Sequence, residues 1–194
     1  MDNRQLGGTG FFISPIGLGA WAMGGGGWEF AWGPQDDGDS TAAIRRALDL
    51  GINWIDTAAA YGLGHSEEVV ARALKDVPRS EQPYVFTKCS LIWDEKGRIR
   101  HSLEPASLRK ELEGSLRRLN LETIDLYQIH WPSWPEDSAS SDAGIEEGWH
   151  ALAELQKQGK IHHIGVSNFN AAQLERIRAV APVSTIQPPY SLLS

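Results

Sequence analysis

Apolar positions along the chain fall into two kinds of segment that alternate. Short runs rich in β-branched and aromatic residues, bounded by glycine or polar loops, are followed by longer stretches in which apolar residues recur with helical period. Such alternation, repeated about every thirty residues, is typical of βα units that build a parallel sheet. The predicted elements are a small hairpin at 4–14, strands at 16–20, 53–57, 84–88, 123–130, 161–166 and 184–187, and helices at 40–50, 66–75, 105–119, 145–158 and 171–180.

Polar side chains before two of these helices predict N-caps. A side-chain oxygen at the N-cap accepts a hydrogen bond from an amide of the first helical turn that has no partner within the helix. Ser40 or Thr41 is therefore expected to cap the helix at 40–50, and Ser167 and Asn168 to cap the helix that begins near 171.

Length and composition limit the class of protein. The 194 residues, 41% of them hydrophobic, suffice for one sizeable core, so a single domain spanning 1–194 is expected. The net charge of −7, without any block of lysines and arginines, argues against nucleic acid or an anionic membrane as a partner. The presence of one cysteine, Cys89, indicates a reducing compartment, for which the cytoplasm is expected. The absence of a long apolar window predicts that no segment spans a membrane. Small metabolites are the expected ligands.

Polar or aromatic side chains follow each predicted strand at the point where it ends. In a (β/α)8 barrel the loops at the carboxyl ends of the strands build the active site. A doubly wound sheet would also place its site there, but its usual dinucleotide signature, G-x-G-x-x-G, is replaced by GAWAMGGGG after the first core strand. The strand ends carry, in order, Trp21, Asp56 with Tyr61, Lys88, His130, Ser167 with Asn168, and Gln187.

Four of these side chains suggest proton transfer to a carbonyl oxygen. Tyrosine, with an ordinary pKa of about 10, is a poor acid or base at neutral pH, and a lysine ammonium beside it lowers that pKa. Lys88 can play this part for Tyr61, with Asp56 holding the ammonium charged and in place. His130 can donate a hydrogen bond to a substrate oxygen or share a proton with Tyr61. The other reactant is then hydride, which implies a nicotinamide cofactor.

Several motifs in order make the chain resemble the aldo-keto reductases over nearly its whole length, 4–193. The match is more similar to the bacterial branch typified by general stress proteins than to the aldose reductase branch. The motifs are GLGAWAMGG at 17–25, GINWIDTAAAYGLGHSEE at 51–68, FTKCS at 86–90, LRRLNLETIDLYQIHWP at 116–132, GKIHHIGVSNF at 159–169 and IQPPYSLL at 186–193.

The resemblance implies an α/β fold of the (β/α)8 TIM-barrel type and the reduction of small aldehydes or ketones with NADPH, NADH not being excluded. It assigns a catalytic tetrad to Asp56, Tyr61, Lys88 and His130, with Tyr61 as the general acid. The residues implied to bind the cofactor are Gly19, Trp21, Asp56, Ser167, Asn168 and Gln187, and those implied to line the substrate pocket are Trp21, Tyr61, His130 and Trp131.

Each of these residues also has a purely structural interpretation. Asp56 could cap the turn that follows it, Lys88 could be an exposed strand end, and Tyr61 before a glycine is ordinary turn chemistry. Packing is the preferred interpretation for Trp134, and Tyr190 stays open between packing and the pocket. The glycine cluster at 24–27 is interpreted as an adaptable loop and Cys89 as a small strand-end residue. His162 and His163 lack a third ligand at suitable spacing, so no metal site is expected.

The predicted strands number six, whereas a closed barrel of this type has eight. About six βα units are therefore expected, and the chain could be a fragment of a longer reading frame. Unclosed sheet edges would favour self-association. Two alternatives to an active reductase stay open: a catalytically impaired fragment, and a cofactor-sensing regulatory subunit of the same fold.

Overall fold

The structure is a computed structural model that describes residues 2–134 and 144–191. The strands are β1 (Arg4–Gln5), β2 (Phe12–Ile13), β3 (Leu18–Gly19), β4 (Trp54–Asp56), β5 (Tyr84–Cys89), β6 (Leu91–Trp93), β7 (Ile99–His101), β8 (Ile124–Ile129), β9 (Ile161–Ser167) and β10 (Thr185–Gln187). The helices are α1 (Asp37–Asp49), α2 (His65–Leu74), α3 (Pro105–Leu119), α4 (Ile145–Lys157) and α5 (Ala171–Arg178).

Six of the strands form one parallel sheet in the order β3-β4-β5-β8-β9-β10. They curl into half a barrel, with the five helices in the connections between them, which confirms the predicted incomplete (β/α)8 fold. The bounds of these strands and helices differ from the predicted ones by no more than three residues. None of the helices within 2–134 and 144–191 is both long and apolar enough to cross a membrane.

The central strands are buried along almost their whole length. All but one residue of β5 and all but one of β8 are inaccessible, as expected for parallel strands covered on both faces. The helices contribute the other side of this core: Trp149 of α4 is fully buried, and its indole nitrogen donates to the carbonyl oxygen of Ala181 at 3.1 Å. The core therefore fixes the strand ends at one rim, where the polar side chains lie.

Both N-cap predictions were wrong. Asp36 caps α1, where its carboxylate accepts from the amide of Asp39 at 2.9 Å, while Ser40 and Thr41 lie inside the helix and donate to carbonyls four residues back. Asn170 caps α5 in a reciprocal capping box with Gln173. The predicted caps were wrong because α1 begins earlier than predicted, after Asp36, and because Asn170, not Ser167 or Asn168, directly precedes α5.

Two antiparallel hairpins form separate two-stranded sheets at opposite ends of the core strands. The predicted N-terminal hairpin, β1 with β2, lies at the amino ends of the core strands, where Asn53 donates to the carbonyl of Phe12 at 2.8 Å and Phe11 stacks on Tyr84 at 4.3 Å. The second hairpin, β6 with β7, follows β5 and was not predicted. Its strands have only three residues each, and the turn between them is closed by Asp94, which accepts from the amides of Lys96 and Arg98.

Candidate active site

All ten residues assigned to the site from sequence line one pocket at the carboxyl ends of the strands. The pocket has a volume of about 480 Å³, within the range of small-molecule sites. The arrangement follows from the parallel sheet, whose strands all end at the same rim. The residues are Gly19, Trp21, Asp56, Tyr61, Lys88, His130, Trp131, Ser167, Asn168 and Gln187.

Lys88 lies at the centre of the polar groups. Its side chain is 1% exposed, and its ammonium donates to the Asp56 carboxylate at 2.7 Å, to the Thr57 carbonyl at 2.9 Å and to the Tyr61 hydroxyl at 3.4 Å. Burial opposes the charge, but the attraction of Asp56, aided by Tyr61, outweighs it and raises the pKa of Lys88. The ammonium therefore stays charged and directed at the phenol. The structural alternative of an exposed strand end is wrong for Lys88.

The backbone around Tyr61 explains the small residues on either side of it. Ala58, Ala59 and Ala60 are all buried, so larger side chains would not fit between the strand and the tyrosine. Gly62 adopts φ +62°, and a Cβ there would lie 2.2 Å from the carbonyl oxygen of Gly24. Gly24 is thus not merely part of an adaptable loop, because its close crossing with Gly62 sets the loop after β3 against the tyrosine.

The pKa of Tyr61 differs from the sequence expectation. Burial raises it, the neighbouring Lys88 ammonium pulls it down without offsetting the burial, and Asp56 adds to the rise. The expected lowering by lysine exists, but the net direction is upward because the hydroxyl is largely removed from water. Tyr61 is consequently protonated at neutral pH, with a cation beside the position where a phenolate would form.

His130 faces Tyr61 across the pocket. The two rings meet edge to face, with centroids 5.6 Å apart, and no hydrogen bond joins them in this geometry. Burial, and then repulsion from the Lys88 ammonium, hold the pKa of His130 well below its usual value, so the imidazole is neutral at pH 7. The main chain on either side is fixed: the His130 amide donates to Cys89 at 3.0 Å and its carbonyl accepts from Asn168 at 2.9 Å.

Hydroxyl and amide groups form the side of the pocket built by β9 and β10. The Ser167 hydroxyl donates to the main-chain carbonyl of Gln187 at 2.9 Å, and the side-chain amide of Gln187 donates to Asp56 at 3.2 Å. Asn168 has a left-handed backbone, φ +61°, which turns its amide toward Ser167 and the His130 carbonyl. These donors and acceptors provide a polar wall next to Asp56 and His130.

An aromatic wall of Trp21, Trp28, Phe30 and Trp134 lines another part of the pocket, and of these four only Trp21 was predicted to line it. The Trp21 ring is stacked on the Tyr61 ring at 5.5 Å, and Trp28 lies 6.2 Å from the same ring. Phe30 meets Trp134 edge to face at 5.5 Å, so Trp134 lines the pocket and the packing interpretation was wrong for it. The signal that could have found this wall is a glycine-rich loop carrying several large aromatic residues. The lining residues that were missed are Ala20, Trp28, Phe30, Ala60, Leu91, Ile99, Pro188 and Pro189.

A partly buried acid outside the pocket, Glu111 of α3, supports the segment after Lys88. Its carboxylate accepts from the Ser90 amide at 2.9 Å and from the Ser107 hydroxyl at 3.1 Å. Burial raises the pKa of Glu111 to about 7, although both hydrogen bonds and the charge of Arg118 act in the opposite direction. Ionisation of this group therefore opposes folding at neutral and alkaline pH.

Glu111→Gln is expected to make the chain more stable than wild type at pH 8 and no more stable at pH 4. The folded pKa lies above the ordinary value of 4.5, so the favourable contribution is complete below 4.5 and is lost as pH rises through about 7. At about 1.4 kcal/mol per pKa unit, the gain at pH 8 is about 3 kcal/mol at most. Urea unfolding at both pH values measures it; equal stability of the two proteins at pH 8 would contradict the assignment.

The fold and the rim pocket define a barrel protein of the (β/α)8 type. Residues 15–194 match the model of the Aldo/keto reductase family. The chain belongs to the aldo/keto reductase family, and the resemblance drawn from its motifs is confirmed.

Named relatives and solved structures agree with this assignment. The chain is 45% identical over 192 residues to the aldo-keto reductase YhdN of Bacillus subtilis, covering 99% of this chain and 54% of that protein. It is 39% identical over 203 residues to the NADH-specific methylglyoxal reductase of Escherichia coli, covering 100% of this chain and 60% of the relative. The structure of glycerol dehydrogenase AKR11B4 from Gluconobacter oxydans matches with a TM-score of 0.85 at 45% identity, covering 100% of this chain and 56% of that one. The chain thus spans a little more than half the length of these relatives.

Proposed function

We propose that the protein reduces the carbonyl group of small aldehydes and ketones to alcohols, with NADPH as the hydride donor and Tyr61 as the proton donor. The observation that carries the proposal is the position of the Lys88 ammonium, 2.7 Å from Asp56 and 3.4 Å from the Tyr61 hydroxyl, in a pocket that His130 also lines. A protonated phenol beside a fixed cation is suited to giving up its proton only when negative charge develops on a nearby oxygen.

Each polar side chain has a distinct part in this proposal. Tyr61 delivers its proton to the carbonyl oxygen, and Lys88 stabilises the phenolate that remains. Asp56 keeps Lys88 charged and oriented. His130, neutral at pH 7, donates a hydrogen bond that holds the carbonyl oxygen toward Tyr61. The aromatic wall, together with Trp131, excludes water and receives the apolar part of the substrate.

The residues at the pocket fit the nicotinamide end of a cofactor. A carboxamide needs both donors and acceptors, and the polar wall of Ser167, Asn168 and Gln187 offers them within one cluster. At Gly19, which lines the same pocket, a Cβ would meet no atom within 4 Å, so the backbone of β3 leaves open space there. Bound there, the cofactor would supply the hydride. We propose NADPH rather than NADH as the cofactor. One relative is named for NADP(+), which supports this choice, whereas the relative from Escherichia coli is named as NADH-specific.

The proposal is tested by following the oxidation of NADPH and of NADH by the purified chain in the presence of a small aldehyde such as methylglyoxal. Aldehyde-dependent oxidation, faster with NADPH, is expected. Saturable quenching of tryptophan fluorescence by NADPH measures binding separately, since several of the eight tryptophans line the pocket. Binding without turnover would favour the regulatory alternative. The absence of both binding and turnover would favour an impaired fragment. Either outcome would overturn the proposed reaction for this chain.

A further inference from the structure

Asp56 and Lys88 each have a threonine beside them in the chain, and the two threonines face away from the pocket. Side chains alternate between the two faces of a strand, so Thr57, just after β4, and Thr87 of β5 face the helices when Asp56 and Lys88 face the pocket. Both threonines are completely buried. Their hydroxyls therefore lie between the strand segments that carry Asp56 and Lys88 and the helices that cover the sheet.

The first turn of α2 contacts both threonines through adjacent residues. The Ser66 hydroxyl lies 2.9 Å from the Thr57 hydroxyl and donates to the carbonyl of Ala20 at 2.8 Å. The Glu67 carboxylate accepts from the Thr87 hydroxyl at 2.6 Å. Two consecutive side chains of one helix are thus bonded to the end of β4, to the residue before Lys88, and to the residue before Trp21.

Glu67 is itself held from the far side. Its side chain is 0% exposed, and its second oxygen accepts from the Arg118 guanidinium of α3 at 2.6 Å. A buried carboxylate that is both ion-paired and hydrogen-bonded is rigid, because any movement would leave a charge without compensation. The contact to Thr87 is therefore made by a group with little freedom to move.

Resting on the proposed function, we infer that Ser66 and Glu67 are positioning residues that act through Thr57 and Thr87 to hold Asp56, Lys88 and Tyr61 in their mutual geometry. The Thr57 carbonyl accepts directly from the Lys88 ammonium at 2.9 Å, so displacement of Thr57 would reach Lys88 without an intermediate. Displacement of Thr87 would shift the Lys88 backbone itself. Neither helix residue lines the pocket.

The test compares Thr87→Val with Thr87→Ser. Valine keeps the shape of threonine and loses the hydroxyl, whereas serine keeps the hydroxyl and loses a buried methyl group. We expect Thr87→Val to lower kcat by roughly 10-fold to 10²-fold, the scale of a small misplacement of catalytic groups, and Thr87→Ser to restore most of it. Ser14→Ala serves as a matched control: its hydroxyl is equally buried and bonded, but lies at the opposite end of the barrel, so kcat should not change.

A second measurement does not depend on turnover. The chain has four tyrosines, so ¹³Cζ-tyrosine NMR can follow their ionisation, with Tyr61→Phe identifying the signal of interest. Because the Lys88 ammonium pulls the pKa of Tyr61 down, displacement of Lys88 in Thr87→Val should raise that pKa further, while Thr87→Ser and Ser14→Ala leave it unchanged.

The outcomes separate this inference from the proposed function. Wild-type turnover with an unchanged kcat and Tyr61 pKa in Thr87→Val would overturn the positioning role and leave the reductase proposal intact. Losses of kcat that follow thermal stability across all three variants would also overturn it, because a merely structural contact predicts that result. Absence of wild-type turnover together with a raised Tyr61 pKa in Thr87→Val would support the positioning role and count against the reaction.

Discussion

Replacing Tyr61 with phenylalanine is expected to lower kcat for aldehyde reduction by about 10²-fold to 10⁴-fold, the contribution usual for a general acid. Phenylalanine keeps the ring that stacks on Trp21 at 5.5 Å, so the pocket and the fold should persist. The loss should fall on kcat because the proton is transferred only in the transition state.

Steady-state kinetics with NADPH and a small aldehyde measure this loss, and fluorescence titration checks that the variant still binds the cofactor. Tyr84→Phe is the matched control, since Tyr84 stacks on Phe11 at the amino ends of the strands and should not affect the rate. Turnover retained in Tyr61→Phe would show that another group supplies the proton.

Removal of the Asp56 carboxylate is expected to have the largest effect on stability. Asp56→Ala leaves the Lys88 ammonium, 1% exposed, without its counter-charge, which typically costs about 3–5 kcal/mol. When Lys88→Met is added to Asp56→Ala, the unpaired buried charge is removed as well. The double variant Asp56→Ala/Lys88→Met should therefore lose less unfolding free energy than the sum of the two single changes.

Urea unfolding of the two single variants and the double variant measures the coupling between the pair. All three should also lose reductase activity, because each removes the cation held beside Tyr61 or the group that holds it. Strictly additive losses of unfolding free energy would mean that the two side chains do not act as a pair in the folded chain.

The main features of the fold were predictable because each βα unit has its own local signal. The β5 segment YVFTKC is a continuous β-branched and aromatic run with a lysine near its end, and the structure places that lysine at the rim. Asp56 and His130 follow the same logic. Since parallel strands end at one rim, the order of polar strand ends was enough to predict that these side chains meet.

Other features depend on contacts between distant segments and could not be predicted locally. The β6–β7 hairpin consists of two three-residue strands that pair only with each other, too short for a period to show. The aromatic wall needs the crossing of Gly24 with Gly62, which no pattern of apolar residues reveals. The upward shift in the pKa of Tyr61 could not be predicted, because the burial of the hydroxyl is known only from the structure. Burial raises this pKa by more than the Lys88 ammonium, which the sequence did identify, lowers it.

The supporting groups beneath the pocket were likewise hidden in the sequence. The sequence pattern places Glu67 and Glu111 at ordinary polar positions of predicted helices. In the structure Glu67 is fully buried, and partial burial raises the pKa of Glu111 to about 7. Their partners come from strands and helices far along the chain, such as Thr87 for Glu67 and Ser90 for Glu111. Burial of a single charged residue on an amphipathic helix is decided by packing, not by the local period.

The most direct test of the central claim is transfer of isotope from the cofactor to the substrate. NADPH carrying deuterium at the transferable position of the nicotinamide ring is incubated with the chain and an aldehyde, and the alcohol is analysed by mass spectrometry. We predict that each alcohol molecule formed by the wild-type chain carries one deuterium. In the same time Tyr61→Phe, with cofactor still bound, should form almost no deuterated alcohol. Equal deuterium transfer by the two proteins would contradict the account.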